Sequence, residues 1–183
     1  ALNGDFDRKA FSAKAGYQTE KVSASATFEA RFEDSEDNKR DRNTYLFRAN
    51  TSYKASDDWR VLAHLDALIS DSDQATILDG DYIEGSVGFA YRPVTNDRLN
   101  VLGKYTFLYD LPGPQQVNSA GDLLGPAQRS HVFSLDASYD INEYLTIGAK
   151  YGYRYGEVSL SRDNDEFTRS TAHLGILRAD VNI

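Results

Sequence analysis

The sequence predicts an all-β chain: an antiparallel, up-and-down transmembrane β-barrel with about nine strands in 183 residues. Three observations carry that reading. Apolar and polar residues alternate with period two through successive stretches of the chain. Most stretches reach the roughly ten residues that a tilted strand needs to cross a bilayer, about twice the usual strand length in soluble sheets. The connections between them alternate between short and long.

The elements follow in order. Phe11, Ala13, Ala15 and Tyr17 alternate with Ser12, Lys14 and Gly16. From Val22 the alternation has no error: Val22, Ala24, Ala26, Phe28, Ala30 and Phe32 oppose Ser23, Ser25, Thr27, Glu29, Arg31 and Glu33. A strand sends successive side chains to opposite faces, so this stretch has two chemically opposed sides. Tyr45, Phe47, Ala49, Thr51 and Tyr53 then oppose Arg48, Asn50 and Ser52. Trp59, Val61, Ala63, Leu65, Ala67 and Ile69 oppose Arg60, His64, Asp66 and Ser70. Ile83, Val87, Phe89 and Tyr91 oppose Glu84, Ser86 and Arg92. Leu99, Val101, Tyr105, Phe107 and Tyr109 oppose Asn100, Lys104, Thr106 and Asp110.

The last three stretches repeat the pattern. Phe133, Leu135, Ala137 and Tyr139 oppose Ser134, Asp136 and Ser138. Leu145, Ile147, Ala149, Tyr151, Tyr153 and Tyr155 oppose Thr146, Lys150 and Arg154. Leu177, Ala179, Val181 and Ile183 oppose Arg178, Asp180 and Asn182.

Four connections are short and polar: Gln18–Lys21, Lys54–Asp58, Val94–Arg98 and Asp140–Tyr144. Four are longer: Asp34–Thr44, Ser70–Asp81, Leu111–Arg129 and Ser161–Phe167. Short turns on one rim and long loops on the other are the habit of outer-membrane barrels, with the short rim in the periplasm. Tyr17, Tyr53, Trp59, Tyr91, Tyr139 and Tyr144 gather beside the short turns, and Phe32, Tyr45, Tyr82, Tyr109 and Tyr155 toward the long loops. Such belts mark two membrane interfaces.

A mean hydropathy of −0.55 with 40% hydrophobic residues resembles a soluble protein, but a barrel hides apolar surface by alternation rather than in runs. No apolar run approaches the roughly 18 residues of a spanning helix, which excludes a helical membrane protein. A soluble sandwich or lipocalin-like barrel also alternates. Against it, the polar parity carries Gly and Ser as often as long charges, an unusual outer surface for a protein in water. The apolar parity is therefore read as facing lipid. Phe28, Phe47, Leu65, Phe89, Phe107 and Ile147 are expected outward, and Arg31, Arg48, Lys104 and Arg154 inward.

Composition removes several chemistries. Without cysteine there is no disulfide, thiolate metal site, thiol nucleophile or attached haem. A net charge of −8 argues against nucleic acid. The acidic stretches Glu33–Asp37, Asp71–Asp73 and Asp163–Glu166 lack the glycine and terminal Glu spacing of an EF-hand, and read as solvated loops. No cofactor or metal site is expected. His64 and Asp66 share a face and can form half of a hydrolytic site, but no nucleophile motif accompanies them. His131 and His173 fall on the lipid-facing parity and are expected at the interface. The chain is expected not to be an enzyme.

Two segments carry a family resemblance: Tyr91-Arg92-Pro93-Val94-Thr95-Asn96-Asp97-Arg98-Leu99-Asn100 running on to Tyr105–Asp110, and Gln128–Ser134 running on to Tyr139-Asp140. They resemble the barrel portion of Gram-negative outer-membrane proteins, some of them large surface proteins with the barrel at the carboxyl end. The resemblance covers the strand region and is structural, a turn, a rim and lipid-facing aromatics, with no catalytic signature. It implies a bacterial outer-membrane location and contact with lipid and lipopolysaccharide. Such barrels usually end on an aromatic residue, whereas this sequence ends at Ile183. Residues 1–183 are thus expected to form one barrel domain, incomplete at its C-terminus, with further strands or a partner completing it.

Two functions remain open. The first is a passive diffusion channel or transport pore, lined by Arg31, Arg48, Arg60, Asp66, Glu84, Lys104, Asp136, Lys150, Arg154 and Arg178. The second is an anchoring barrel whose loops or attached partner carry the function. The loop from Leu111 through Pro126 is the candidate constriction or external binding segment.

Overall fold

The alternation becomes nine strands in a computed structural model of the chain, which describes residues 6–35, 41–72, 81–111, 127–159 and 167–181. They are β1 (Phe6–Gln18), β2 (Val22–Ser35), β3 (Arg42–Lys54), β4 (Trp59–Ser72), β5 (Asp81–Tyr91), β6 (Leu99–Leu111), β7 (Ala127–Asn142), β8 (Leu145–Ser159) and β9 (Thr168–Val181). Each pairs antiparallel with its sequence neighbours in a single sheet ordered β1 to β9. Short turns dictate the pairs β1–β2, β3–β4, β5–β6 and β7–β8, because a parallel neighbour would need a long crossover. Alternate connections consequently emerge on opposite rims.

The strands outrun the boundaries read from the sequence. β2 continues to Ser35 and β7 begins at Ala127, inside stretches expected to be loop. Residues such as Asp34 and Arg129 break the alternation of a lipid-facing strand, yet ladder hydrogen bonds need no apolar face once the strand has left the bilayer. The expected loop segments 36–40, 73–80, 112–126 and 160–166 lie outside the described residues, and with them most of the acidic stretches and the Pro-rich candidate constriction.

Register keeps the two faces separate across the sheet. Ala26 sits opposite Ala49, Ala49 opposite Leu65, Leu65 opposite Gly85 and Gly85 opposite Phe107. On the other face Lys14, Thr27, Arg48, Asp66 and Glu84 form one row. A slip of one residue would exchange the two faces.

The sheet does not build a core. Among the described residues Ala30 is the one buried apolar side chain within the strands, while Phe28, Phe47, Val87, Phe133 and Ile147 are each between 39% and 50% exposed. A soluble sandwich would bury this parity against a second layer. Here the apolar face meets lipid. β1 and β9 form the two edges and do not pair with each other, so the nine strands leave the sheet open, as a partial barrel does.

Neighbouring short turns are stitched together along their rim. Lys54 N donates to Lys21 O at 2.7 Å, Arg92 N to Asp58 O at 2.9 Å, and Asp140 N to Arg98 O at 3.0 Å. Asp58 also accepts the Val94 amide on Oδ1 at 2.6 Å. In the same turn the Lys54 ammonium donates to Asp57 at 2.6 Å and holds that carboxyl below its usual range. Replacing Asp58 with Ala removes the link to Val94 and is expected to cost about 0.5–1.5 kcal/mol. Faster exchange of the Val94 amide, with strand amides unaffected, is the signature. Unchanged exchange at Val94 would show that the bond contributes nothing.

On the lipid face β5 and β6 are locked by rings over glycines. The Phe107 ring covers Gly85 and the Phe89 ring covers Gly103, each occupying the space a Cβ would need. Aromatic cover of this kind supplies the contact a glycine lacks. Trp59 adds to the short-turn belt, with its ring 4.5 Å from Tyr91 and 5.5 Å from Phe89.

Candidate functional site

The face opposite the lipid holds the candidate site. A cavity of about 390 Å³ there is bounded by residues of β2 through β6. The ten expected lining residues fall on this parity, at the positions that register assigns them.

Some of them meet and some do not. The Arg48 guanidinium donates to Asp66 at 2.9 Å across β3 and β4. The other Asp66 oxygen lies 3.4 Å from His64 Nε2, while His64 Nδ1 is 2.7 Å from Asn50 Oδ1. Arg31 pairs with Glu29 on its own strand, and Arg178 with Asp180 at 2.7 Å. Asp136 and Lys150 are register partners on β7 and β8 without an ion pair. Arg60, Lys104, Lys150 and Arg154 have no ion-pair partner among the described residues.

Such exposed pairs contribute little to stability, because water screens them. Their consequence is electrostatic. Where Arg48, Asp66 and His64 satisfy one another, the wall is locally neutral. Arg60, Lys104, Lys150 and Arg154 face the lumen without an ion pair, and so do the carboxylates of Glu84 and Asp136, which leaves cations in excess among these six. The His64–Asp66 pair has the geometry of an oriented imidazole, but Asn50 and Asp66 occupy both ring nitrogens. Among the described residues no group of three or more side chains gathers to hold a metal.

His131 and His173 lie on the lipid-facing parity. Tyr105 OH is 2.6 Å from His131 Nδ1, and Tyr151 OH is 2.8 Å from His173 Nδ1. Tyr109 and Tyr155 pack around His131, with ring centroids 5.7 and 6.3 Å away. These histidines belong to the aromatic belt.

Sequence reasoning missed the aliphatic side chains on the polar parity. Leu62 and Leu102 are 42% and 54% exposed there and line the cavity, with Gly88 between their strands. The signal was present: Leu62 and Leu68 in β4, and Leu102 and Leu108 in β6, interrupt the polar half of the alternation. Reading each strand by its majority parity passed over them.

No family model and no curated protein matches the chain. Solved structures do. The in-vitro folded OmpT of Vibrio cholerae, an outer membrane protein in its trimer form, superposes with a TM-score of 0.56 at 13% identity. The outer-membrane expressed OmpT of Vibrio cholerae superposes with a TM-score of 0.57 at 13% identity. Each match covers 94% of this chain and 56% of the other, so the chain spans little more than half the length of these barrels. The fold is that of a β-barrel of the bacterial outer membrane. The likeness also corrects one expectation, that the chain is not an enzyme. The matched proteins go by the name OmpT, and sharing their barrel removes the ground for excluding catalysis, because chemistry resides in side chains grafted on a fold.

Proposed function

We propose that this chain, as part of an outer-membrane β-barrel, walls a water-filled diffusion pore with a preference for anions. The observation that carries the reading is the polar face, where Arg60, Lys104, Lys150 and Arg154 stand without an ion pair among the described residues, against the two carboxylates Glu84 and Asp136. Pore width supports it. Nine strands corresponding to 56% of the matched barrels scale to about sixteen for the whole, the size at which barrels enclose an aqueous channel. A narrow barrel would interlock its charges across the interior instead.

In this reading residues 1–183 are one barrel domain, and further strands complete the ring. Open edges in lipid are untenable, since each unpaired backbone group there costs several kcal/mol. Outer-membrane lipid covers the outward face, with lipopolysaccharide beside the long-loop rim. Assignment to the carboxyl-terminal barrel of a larger surface protein rests on the turn and rim motifs alone.

Planar-bilayer recording of the full-length protein tests the pore. A steady ohmic current is expected, with a reversal potential in a salt gradient displaced toward the anion. Joint replacement of Lys104 and Arg154 by Glu should move that potential toward the cation. Silent membranes containing correctly folded protein would overturn the pore and favour a barrel that anchors its loops or a partner.

A further inference from the structure

We infer that the lumenal cavity centred on Gly88 is a binding subsite for a small amphipathic organic anion, a carboxylate bearing a short aliphatic tail. The inference rests on the pore reading and names a class of solute for it.

One register row carries the arrangement. Leu62 on β4 sits opposite Gly88 on β5, and Gly88 opposite Lys104 on β6. Gly88 forms the floor, where an added Cβ would lie 2.7 Å from the Gly103 carbonyl oxygen and 3.7 Å from Lys104 Cβ. A larger residue there would crowd the Gly103 carbonyl. Leu62 and Leu102 give it aliphatic walls, both about half exposed. Ser86, His64 and Lys104 supply polar groups at its boundary.

The charge arrangement selects the sign of the ligand. Asp66, two lumen-facing rows away, is engaged by Arg48 and His64. Lys104 is exposed and makes no ion pair among the described residues, with Asp136 standing across from Leu102 on the next strand. A cation beside two water-facing leucines complements a ligand with an anionic head and an apolar tail. An inorganic anion would leave the leucines wet, and a neutral sugar would leave the ammonium unanswered. The volume of about 390 Å³ accommodates a six-carbon acid with its hydration water.

Saturation-transfer NMR on the full-length protein in nanodiscs tests the site, with hexanoate as probe and acetate, hexanamide and empty nanodiscs as comparisons. Saturable transfer to hexanoate is expected, with none to acetate. Leu62→Ser and Leu102→Ser should each weaken hexanoate binding roughly tenfold. Lys104→Gln should weaken hexanoate roughly three- to fivefold and leave hexanamide unchanged. All three positions face water, and retained heat-modifiable gel mobility confirms folding. Hexanoate transfer equal to that of empty nanodiscs, or variants that bind like the parent, would overturn the subsite. Bilayer recordings separate the two readings. Binding without conductance sinks the pore and keeps the subsite, while conductance without binding sinks the subsite and keeps the pore.

Discussion

Arginine in place of Ala26 is expected to destabilise the barrel by about 2–4 kcal/mol, the cost of that side chain on a lipid face near the bilayer midplane. The same residue in place of Ser25, its neighbour in the chain, should change stability by less than about 1 kcal/mol, as solvent-facing substitutions usually do. Ala26 lies in the row Ala15, Ala26, Ala49, Leu65, midway along the strands, and Ser25 in the row containing Asn50 and His64. Neither replacement removes a large side chain, so the comparison isolates the environment. Denaturant unfolding of the full-length protein from lipid bilayers reads both values. Equal costs would mean that the two faces do not differ, and a larger cost at Ser25 would mean that they are reversed.

The second large effect is expected at Gly88. Alanine there brings a Cβ to 2.7 Å from the Gly103 carbonyl oxygen, a backbone atom that cannot swing aside. Relief requires β5 and β6 to separate, which also lifts Phe107 from Gly85 and Phe89 from Gly103 on the far side of the sheet. Overpacking of this order costs about 1–3 kcal/mol. Gly152 on β8 provides the control. A Cβ there meets Leu174 Cβ at 3.7 Å, an ordinary contact, and alanine should be neutral or stabilising by up to about 1 kcal/mol. The two variants, unfolded side by side, should differ in sign or at least in size. If Gly88→Ala matches Gly152→Ala, the close approach of β5 and β6 has been overstated.

Period two made most of the architecture legible. In β2 every residue from Val22 to Glu33 declares its face, because a strand in a membrane has lipid on one side and water on the other and tolerates no exchange. The positions of Arg48 and Asp66 on one face, and of His131 and His173 on the other, followed from parity alone. The length of each span followed from bilayer thickness, and the alternation of rims from the up-and-down order. These are local properties, decided by each residue and its immediate neighbours.

What the sequence could not decide by itself is which residues meet across strands. Register pairs residues tens of positions apart, and only the paired sheet shows that Leu62, Gly88 and Lys104 share a row. The same holds for the carbonyl of Gly103 beneath Gly88, for the Asp58 link to Val94, and for the division between Asp66, neutralised by Arg48, and Lys104, left without a partner among the described residues. Parity assigns a face to each side chain through backbone geometry one residue at a time. Neighbourhood on that face depends on turn lengths and ladder hydrogen bonds summed over the sheet, and those are set only when the strands come together.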